Sequence, residues 1–363
     1  MNDKTIAQIN ASEYKFCANI TGGGAAFLSG YLARPKASKT FLQGIIPYSC
    51  ASIDTMIGKP EKYCNHKAAK KLSLKAFEDA YKFCKTEGGK PVGIGASCIV
   101  HYDGERKGRE HKIYIHVHSE TKTKTLDIIL SQGLSREVEE ELISDLILAI
   151  LAKTCDVKDS VRLKIAPYYD YVIHSKFEEY KIDKKWLEAP KKDNGEVYVF
   201  PGSFNPLHCG HKNIVNKVQS HYNCDVLYEI CMGNVDKANI DYIDINKRLS
   251  NFNNPEDLIV IPHAYARFID KYNFYKKHYN KVNFIMGYDT YERLLVDQDF
   301  KKLVEEKGKN GEKVIVLGSL QQCKLQHGIT KIGEAKDVVH IHEDFFSDIR
   351  SSKIRAEKVN KKS

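Results

Sequence analysis

Residues 199–215 read VFPGSFNPLHCGHKNIV, and this stretch decides the fold of the second half of the chain. A short apolar run ends in Pro201-Gly202, and helical periodicity follows, with Val215 and Val218 on one side. A glycine-containing turn between a strand and a helix places backbone N–H groups and the positive end of the helix dipole together. Both attract phosphate, and Gly202 lets a ligand come close to the backbone. The stretch therefore predicts a phosphate-binding turn.

Two histidines accompany this turn. His208 and His211 fall on or beside the first helical turn, three residues apart, so their side chains can point to the same side. Imidazoles there could donate hydrogen bonds to a phosphoryl group that gains charge in a transition state. Positioning and charge stabilisation carry most phosphoryl transfers, so no covalent intermediate is needed. The alternative is a pair of surface histidines beside an ordinary turn.

Further apolar runs follow at helix-length spacing in the second half. They are short and mostly continuous: Val197–Phe200, Val226–Met232, Leu258–Ile261, Val282–Met286, Val314–Leu317 and Val338–Ile341. A strand buried on both faces is apolar throughout rather than alternating. The second half is therefore predicted to be a doubly wound α/β domain with a parallel sheet.

The first half is also mixed α/β. Residues 41–49 and 92–100 are predicted to be buried strands, whereas residues 111–118 alternate and suit a half-buried strand in an antiparallel pair. Ser135 is a good N-cap for a helix whose first turn is acidic and whose apolar residues repeat on one face. Because residues 181–195 are polar and rich in lysine, we expect domains at 1–165 and 196–363, joined by a linker region at 166–195.

Composition limits the classes of function. Of the 363 residues, 42% are hydrophobic and 28% charged, and the formal net charge is +9. The lysine clusters are either solvated faces or surfaces that attract anionic substrates. The sequence lacks the alternation of aromatic and basic residues that binds stacked bases, so we expect no nucleic-acid partner. The ten cysteines form no CxxC pair, which favours free thiols in a reducing cytosol. We expect a cytoplasmic protein without a signal peptide or a membrane span.

The pattern G-x-F-x-P-x-H-x-G-H of residues 202–211 resembles the signature of the nucleotidylyltransferase superfamily, which includes adenylyl- and cytidylyltransferases. The resemblance implies a Rossmann-like fold in which His208 and His211 are catalytic. It also implies that the turn and helix start contact the nucleotide through Gly202, Ser203, Phe204 and Gly210.

Three later segments match the same superfamily in the expected order. NVDKANI contains Lys237, similar to a lysine that family members use on phosphates, although a lysine in a polar loop is the simpler alternative. FIMGYDTYERL contains Gly287 and Asp289, which resemble the G-x-D of adenylyltransferases acting on nicotinamide or nicotinate mononucleotide, where the acidic group meets a ribose; a helix N-cap is the alternative.

The third segment, SDIRSSKIR, resembles the family's C-terminal I-S-S-T-x-I-R motif. Ser351, Ser352 and Arg355 keep three of its positions, and Arg350 replaces the first serine. Ser352 stands where threonine is usual. Hydroxyl groups and a guanidinium at a helix start can hold a triphosphate, so Arg355 is placed with the catalytic residues.

The resemblance covers roughly residues 196–358 and implies an adenylyltransferase that joins ATP, carrying Mg²⁺, to a pyridine mononucleotide. Two alternatives stay open. One is an adenylyl- or cytidylyltransferase that acts on another phosphate, such as phosphopantetheine or a phospho-alcohol. The other is a nucleotide sensor that binds without turnover.

The first half resembles the C-terminal domain of the CinA family, the nicotinamide-nucleotide amidases. The resemblance rests on Thr21-Gly22-Gly23 and on matches spread over residues 37–49. The sequence differs from the family at three positions that carry its chemistry: Ala18, Asn19 and Ile53 replace the family's glutamate, nucleophilic serine and lysine. Since an amide and an aliphatic chain cannot replace a nucleophile and its base, we expect no amidase activity. The domain could still bind a nucleotide, or join copies of the chain into a homo-oligomer, as the family's domains tend to associate.

Four histidines of the first half invite comparison with a metal site: His101, His111, His116 and His118. His116 and His118 share a strand face, but the sequence places no carboxylate or cysteine obviously with them. We therefore predict no metal site.

Overall fold

The computed structural model describes residues 2–104, 107–157, 170–190, 195–233, 240–262, 267–318 and 338–342. The chain divides into two compact units. The first unit consists of Met1–Ile182 with Asn239–Ile243, and the second of Asp183–Ala238 with Asp244–Ser363. Both are α/β, as predicted.

The first unit contains a six-stranded mixed sheet in the described residues. Its elements are α1 (Asp3–Asn10), β1 (Tyr14–Thr21), α2 (Ala26–Leu32), β2 (Phe41–Ile45), α3 (Cys50–Ile57), α4 (His66–Glu87), β3 (Lys90–Ile99), β4 (His111–Ser119), β5 (Lys122–Leu130), α5 (Arg136–Thr154) and β6 (Val172–Lys181). The strand order is β2-β1-β3-β4-β5-β6. The first three strands are parallel, and those from β3 to β6 are antiparallel.

The two faces of this sheet are covered by different helices. α4 packs on β1 and β3, and a Cβ on Gly93 would lie 2.2 Å from the backbone nitrogen of Phe77, so glycine permits this close approach. Strand side chains alternate between faces, and the neighbours Val92 and Ile94 belong to the core that α5 helps to form. Helix α5 begins after the predicted N-cap, because the Ser135 hydroxyl accepts a hydrogen bond from the N–H of Val138 at 3.4 Å.

The second unit contains a six-stranded parallel sheet in the described residues. Its elements are β7 (Glu196–Gly202), α6 (Cys209–Tyr222), β8 (Val226–Ile230), α7 (Tyr242–Leu249, whose first two residues belong to the first unit), β9 (Leu258–Val260), α8 (Phe268–Lys276), β10 (Lys281–Gly287), α9 (Tyr288–Leu294), α10 (Gln298–Lys309), β11 (Val314–Leu317) and β12 (Val339–His342). The order is β12-β11-β10-β7-β8-β9. Every neighbouring pair is parallel, so the doubly wound sheet and its six strands are confirmed.

A buried ionic cluster ties α8 to β8. The Glu229 carboxylate accepts hydrogen bonds from the ammonium of Lys271 and, at 2.9 Å, from the hydroxyl of Tyr275. All three side chains are almost completely buried. A buried charge is tolerated only when it is paired, and each oxygen of this carboxylate has its own donor.

The expected linker at 166–195 needs correction, as does the domain boundary at residue 165. Val172–Lys181 forms β6 and pairs antiparallel with β5 along Lys122–Leu130. Its sequence is polar because it is an edge strand with much of its surface exposed, and charged side chains protect such edges from unwanted pairing. Residues 239–243, expected within the second domain, belong to the first unit.

The expectation that β4 is half-buried also needs correction. The pairing is antiparallel as predicted, but His116 and His118 are buried as fully as the apolar face, whereas Lys112 and Tyr114 on the same face as the histidines are only partly buried. Phe77 of α4 and Tyr242 cover His118, with ring centroids 4.7 and 4.9 Å away. No helix in the described part of the chain is long and apolar enough to cross a membrane.

Candidate functional site

The centre of the second sheet is a topological switch point. β7 lies between β10 and β8, and the chain builds one side of the sheet before it returns to build the other. Phe284 of β10 pairs with Val199 of β7, and both strands end three residues later, at Gly287 and Gly202. In open α/β sheets, ligands bind beyond the carboxyl ends of the strands at such a point. The structure brings these two predicted residues to the same edge of the sheet.

The turn after β7 is shaped by Phe204. This residue has a φ of 42° and is 1% exposed, so its ring is folded under the turn. A Cβ on Gly202 would lie 2.6 Å from the ring's Cζ. Gly202 was expected to let a ligand approach, but the structure shows a second requirement, since only glycine leaves space for Phe204.

The two histidines lie together at the start of α6. His208 is the N-cap residue and His211 lies in the first turn, and their rings stack with centroids 3.7 Å apart at 22°. The backbone N–H of His208 donates to Nδ1 of His211 at 3.3 Å. Because Nδ1 accepts this bond, the proton of a neutral His211 is on Nε2, which makes Nε2–H a donor.

Both imidazoles are neutral near pH 7. Burial, and to a smaller extent the adjacent His208, lower the pKa of His211 to about 3. Burial also lowers the pKa of His208, whose Nδ1 is buried without a hydrogen-bond partner among the described residues. The pair can therefore provide neutral N–H donors to an anionic group, rather than two positive charges.

The remaining described residues of the prediction surround the same strand ends. Gly210 is buried in the first turn of α6. Gly287 is the N-cap of α9, and an added Cβ there would meet nothing within 4 Å. Asp289 lies in the first turn of α9, where its side chain is exposed, and its backbone carbonyl accepts from Arg293 at 3.2 Å. The roles assigned to these residues stay predictions.

Four predicted site residues lie outside the described residues: Lys237, Ser351, Ser352 and Arg355. Arg350 lies outside them as well.

Arg248 and Phe252 contact the turn that follows β7, and neither residue was predicted from the sequence. Arg248 is 9% exposed, and its guanidinium donates to the carbonyl of Ser203 at 2.8 Å. The Phe252 ring packs on Phe204 at 5.7 Å, and Phe204 packs on His211 at 5.1 Å. One signal was present, since Tyr242, Ile245 and Arg248 follow helical spacing, which puts an arginine on the buried face.

In the first unit, the glycine loop at the start of α2 is occupied by side chains of α5. The Glu140 carboxylate accepts from the N–H of Gly24 at 2.6 Å, and Arg136 donates to both Glu140 and the Gly22 carbonyl. Asn19 is 2% exposed, and its amide donates to the Leu72 carbonyl at 3.0 Å. The backbone donor at Gly24 is therefore already paired with an internal carboxylate.

Comparison with known proteins identifies a domain in the second half of the chain. Residues 199–357 match the family model described as cytidylyltransferase-like, so the second half carries a domain of that kind. No match was found among curated protein sequences.

Among solved structures, the chain is similar to the nicotinic acid mononucleotide adenylyltransferase of Plasmodium falciparum in complex with NaAD, at 18% identity and a TM-score of 0.35, over 44% of this chain and 82% of that one. It is also similar to a CinA superfamily protein of Escherichia coli, at 12% identity and a TM-score of 0.31, over 43% and 87% of the two chains. A CinA superfamily protein of Enterobacter cloacae matches at 12% identity and a TM-score of 0.33, over 42% and 89%.

Proposed function

We propose that the second unit transfers AMP from ATP to the phosphate of a pyridine mononucleotide and releases pyrophosphate. The stacked, neutral pair His208 and His211 at the switch point carries this proposal. An oxygen of the acceptor phosphate attacks the α-phosphorus in line, while the bond from that phosphorus to the bridging oxygen of pyrophosphate breaks. Mg²⁺ arrives with the triphosphate as part of the substrate.

The histidines stabilise negative charge on the phosphoryl group by hydrogen bonding, and they do not act as a general acid or base. The transferring phosphoryl group gains negative charge on its outer oxygens, and N–H donors aimed there stabilise the transition state more than the ground state. A neutral imidazole can donate without first taking up a proton. The start of α6 adds the backbone N–H groups and the dipole of a helix that is 14 residues long.

The choice of acceptor rests on fewer residues. Gly287 and Asp289 match the G-x-D of adenylyltransferases that act on pyridine mononucleotides, and the exposed Asp289 carboxylate at the start of α9 can accept from a ribose hydroxyl. Phosphates would be held by Lys237, Ser351, Ser352 and Arg355. The cytidylyltransferase-like family match keeps CTP and other acceptors as the second candidate.

A substrate panel tests the proposal. ATP and CTP are each combined with nicotinamide mononucleotide, nicotinate mononucleotide, phosphopantetheine and a phospho-alcohol, and pyrophosphate release is measured. We expect release with ATP and a pyridine mononucleotide. The proposal is abandoned if both mononucleotides fail while another acceptor reacts. Binding of ATP without release on any acceptor would indicate a sensor instead.

A further inference from the structure

We propose that Asp241 and Tyr242 are positioning residues for the site around His211. They fasten the start of α7 within the first unit, and the end of α7 supports the turn that follows β7. The proposed effect on turnover rests on the proposed function, whereas the effect on the turn itself does not.

Asp241 is held by two partners of the first unit. It is 1% exposed, and its carboxylate lies 3.2 Å from Nζ of Lys70 and 3.0 Å from Nε2 of His116. A buried ionic group gives little net stability, because desolvation offsets the attraction, but it strongly favours the one arrangement in which it is paired. The carboxylate therefore defines where this segment of chain lies.

Tyr242 is fastened at its backbone and at its hydroxyl. It is 2% exposed, its N–H donates to Oγ1 of Thr123 at 3.3 Å, and its hydroxyl donates to the carbonyl of Glu120. Its ring lies 4.9 Å from that of His118, whose Nδ1 shares the same Thr123 hydroxyl at 2.8 Å. The first residue of α7 is thus buried within the first unit.

The other end of α7 belongs to the second unit. The chain passes from one unit to the other between Ile243 and Asp244, inside the helix. Five residues after Ile243, the buried Arg248 donates to the carbonyl of Ser203, and Phe252 then packs on Phe204. Both contacts are made with the turn that follows β7, and the ring of Phe204 packs on that of His211.

The helix between the two attachments is short. α7 has 8 residues, and a helix of that length is marginal by itself, because nucleation costs more than a few hydrogen bonds return. Its conformation therefore depends on contacts at its ends. Loss of the attachment at Asp241 should loosen Arg248 and, through it, the turn at Ser203.

The first experiment removes the attachment in the full chain. Asp241→Asn keeps the size of the side chain and removes its charge, and Tyr242→Phe removes one hydroxyl. Amide hydrogen exchange is measured over residues 203–211, together with kcat and KM for pyrophosphate release. We expect exchange to quicken about tenfold, as loss of a charged hydrogen bond allows, and kcat to fall more than the KM for ATP changes.

Glu179→Gln is the matched control. It breaks another ion pair of the first unit, in which Glu179 lies 2.7 Å from the buried Nζ of Lys124, without touching α7. It should leave exchange at residues 203–211 and kcat unchanged. If it alters them as much as Asp241→Asn does, the effect is general destabilisation and the proposal is wrong.

A second pair of variants tests transmission through the helix itself. Lys247 has an exposed side chain on α7, so Lys247→Gly weakens the helix without removing a packed side chain, while Lys247→Ala preserves it. Only Lys247→Gly should quicken exchange at residues 203–211. Equal exchange in both variants would overturn the proposal. If the wild-type chain releases no pyrophosphate, the proposed function fails, but the exchange measurements still decide whether Asp241 positions the turn.

Discussion

His211 is the side chain on which the proposed chemistry depends most. His211→Ala removes an N–H donor from the start of α6, and we expect pyrophosphate release to fall about tenfold to a hundredfold, with a smaller change in the KM for ATP. His221→Ala is the control, since it removes an exposed histidine from the last turn of the same helix. Unchanged turnover in His211→Ala would contradict the role assigned to this residue.

The charge of His211 can be measured directly. Because its folded pKa is about 3, its ring resonances in an NMR titration should stay those of a neutral imidazole from pH 8 down to pH 5. A histidine with the ordinary pKa of about 6.5 would change over that range. A midpoint near 6.5 for His211 would show that the ring is less buried than its environment indicates.

The same depressed pKa affects stability. The unfolded state takes up a proton as the pH falls through about 6.5, whereas folded His211 stays neutral until about 3, so this group favours unfolding progressively over that interval. We expect the free energy of unfolding, measured in urea, to fall from pH 7 to pH 5 less steeply in His211→Asn than in the wild type. Equal slopes would contradict the shift.

At this scale the sequence indicated which residues meet but not their chemical state. His208 and His211 follow from their spacing in the motif. Their neutrality depends on burial, and the tautomer of His211 depends on the N–H of His208, which is visible only once the turn is folded. Arg248 lies 37 or more residues from the motif in the chain and reaches Ser203 only through tertiary packing.

At the scale of elements, the ends of β7 and β10 offer a matched pair of glycines. In Gly202→Ala the new methyl group meets the Phe204 ring, so the free energy of unfolding should fall by about 1–3 kcal/mol, the usual cost of overpacking. In Gly287→Ala the added Cβ meets nothing within 4 Å, and the φ of −75° suits alanine, so stability should be kept.

Steady-state kinetics then distinguish the roles of Gly202 and Gly287. If a nucleotide approaches the end of β10, Gly287→Ala should raise the KM for ATP or for the acceptor although the fold is intact. Chemical denaturation and steady-state kinetics on both variants provide the measurement. Full activity in Gly287→Ala would indicate that the ligand does not come close to this backbone.

Most elements could be predicted because their patterns are local. The six strands of the second sheet are apolar runs, and α5 starts at a recognisable cap. β6 was missed since an exposed edge strand carries the polar composition of a linker. The burial of His116 and His118 was missed because Asp241 and Tyr242, more than a hundred residues away in the chain, complete that face of the sheet.

For the whole molecule, we predict that the first unit does not hydrolyse the amide of nicotinamide mononucleotide. The Asn19 amide donates a hydrogen bond to the Leu72 carbonyl, and the Gly24 N–H donates to the Glu140 carboxylate. Ile53 provides no base. The full chain should release no ammonia from the mononucleotide, and Asn19→Ser should stay inactive. Ammonia release that persists in His211→Ala would contradict this and would place a second activity in the first unit.

The passage of the chain between units has a consequence for how this protein could arise and be altered. The chain changes unit after Ile182, after Ala238 and after Ile243, so cutting one peptide bond does not separate the units. A fusion of two genes end to end would have produced one crossing. Asn239–Ile243 lies in the second half of the sequence but belongs to the first unit, so neither half of the sequence contains a complete unit. A chimera that replaces the second half must therefore carry Asp241 and Tyr242 with it, or else the buried His116 and the partly buried Lys70 lose the Asp241 carboxylate.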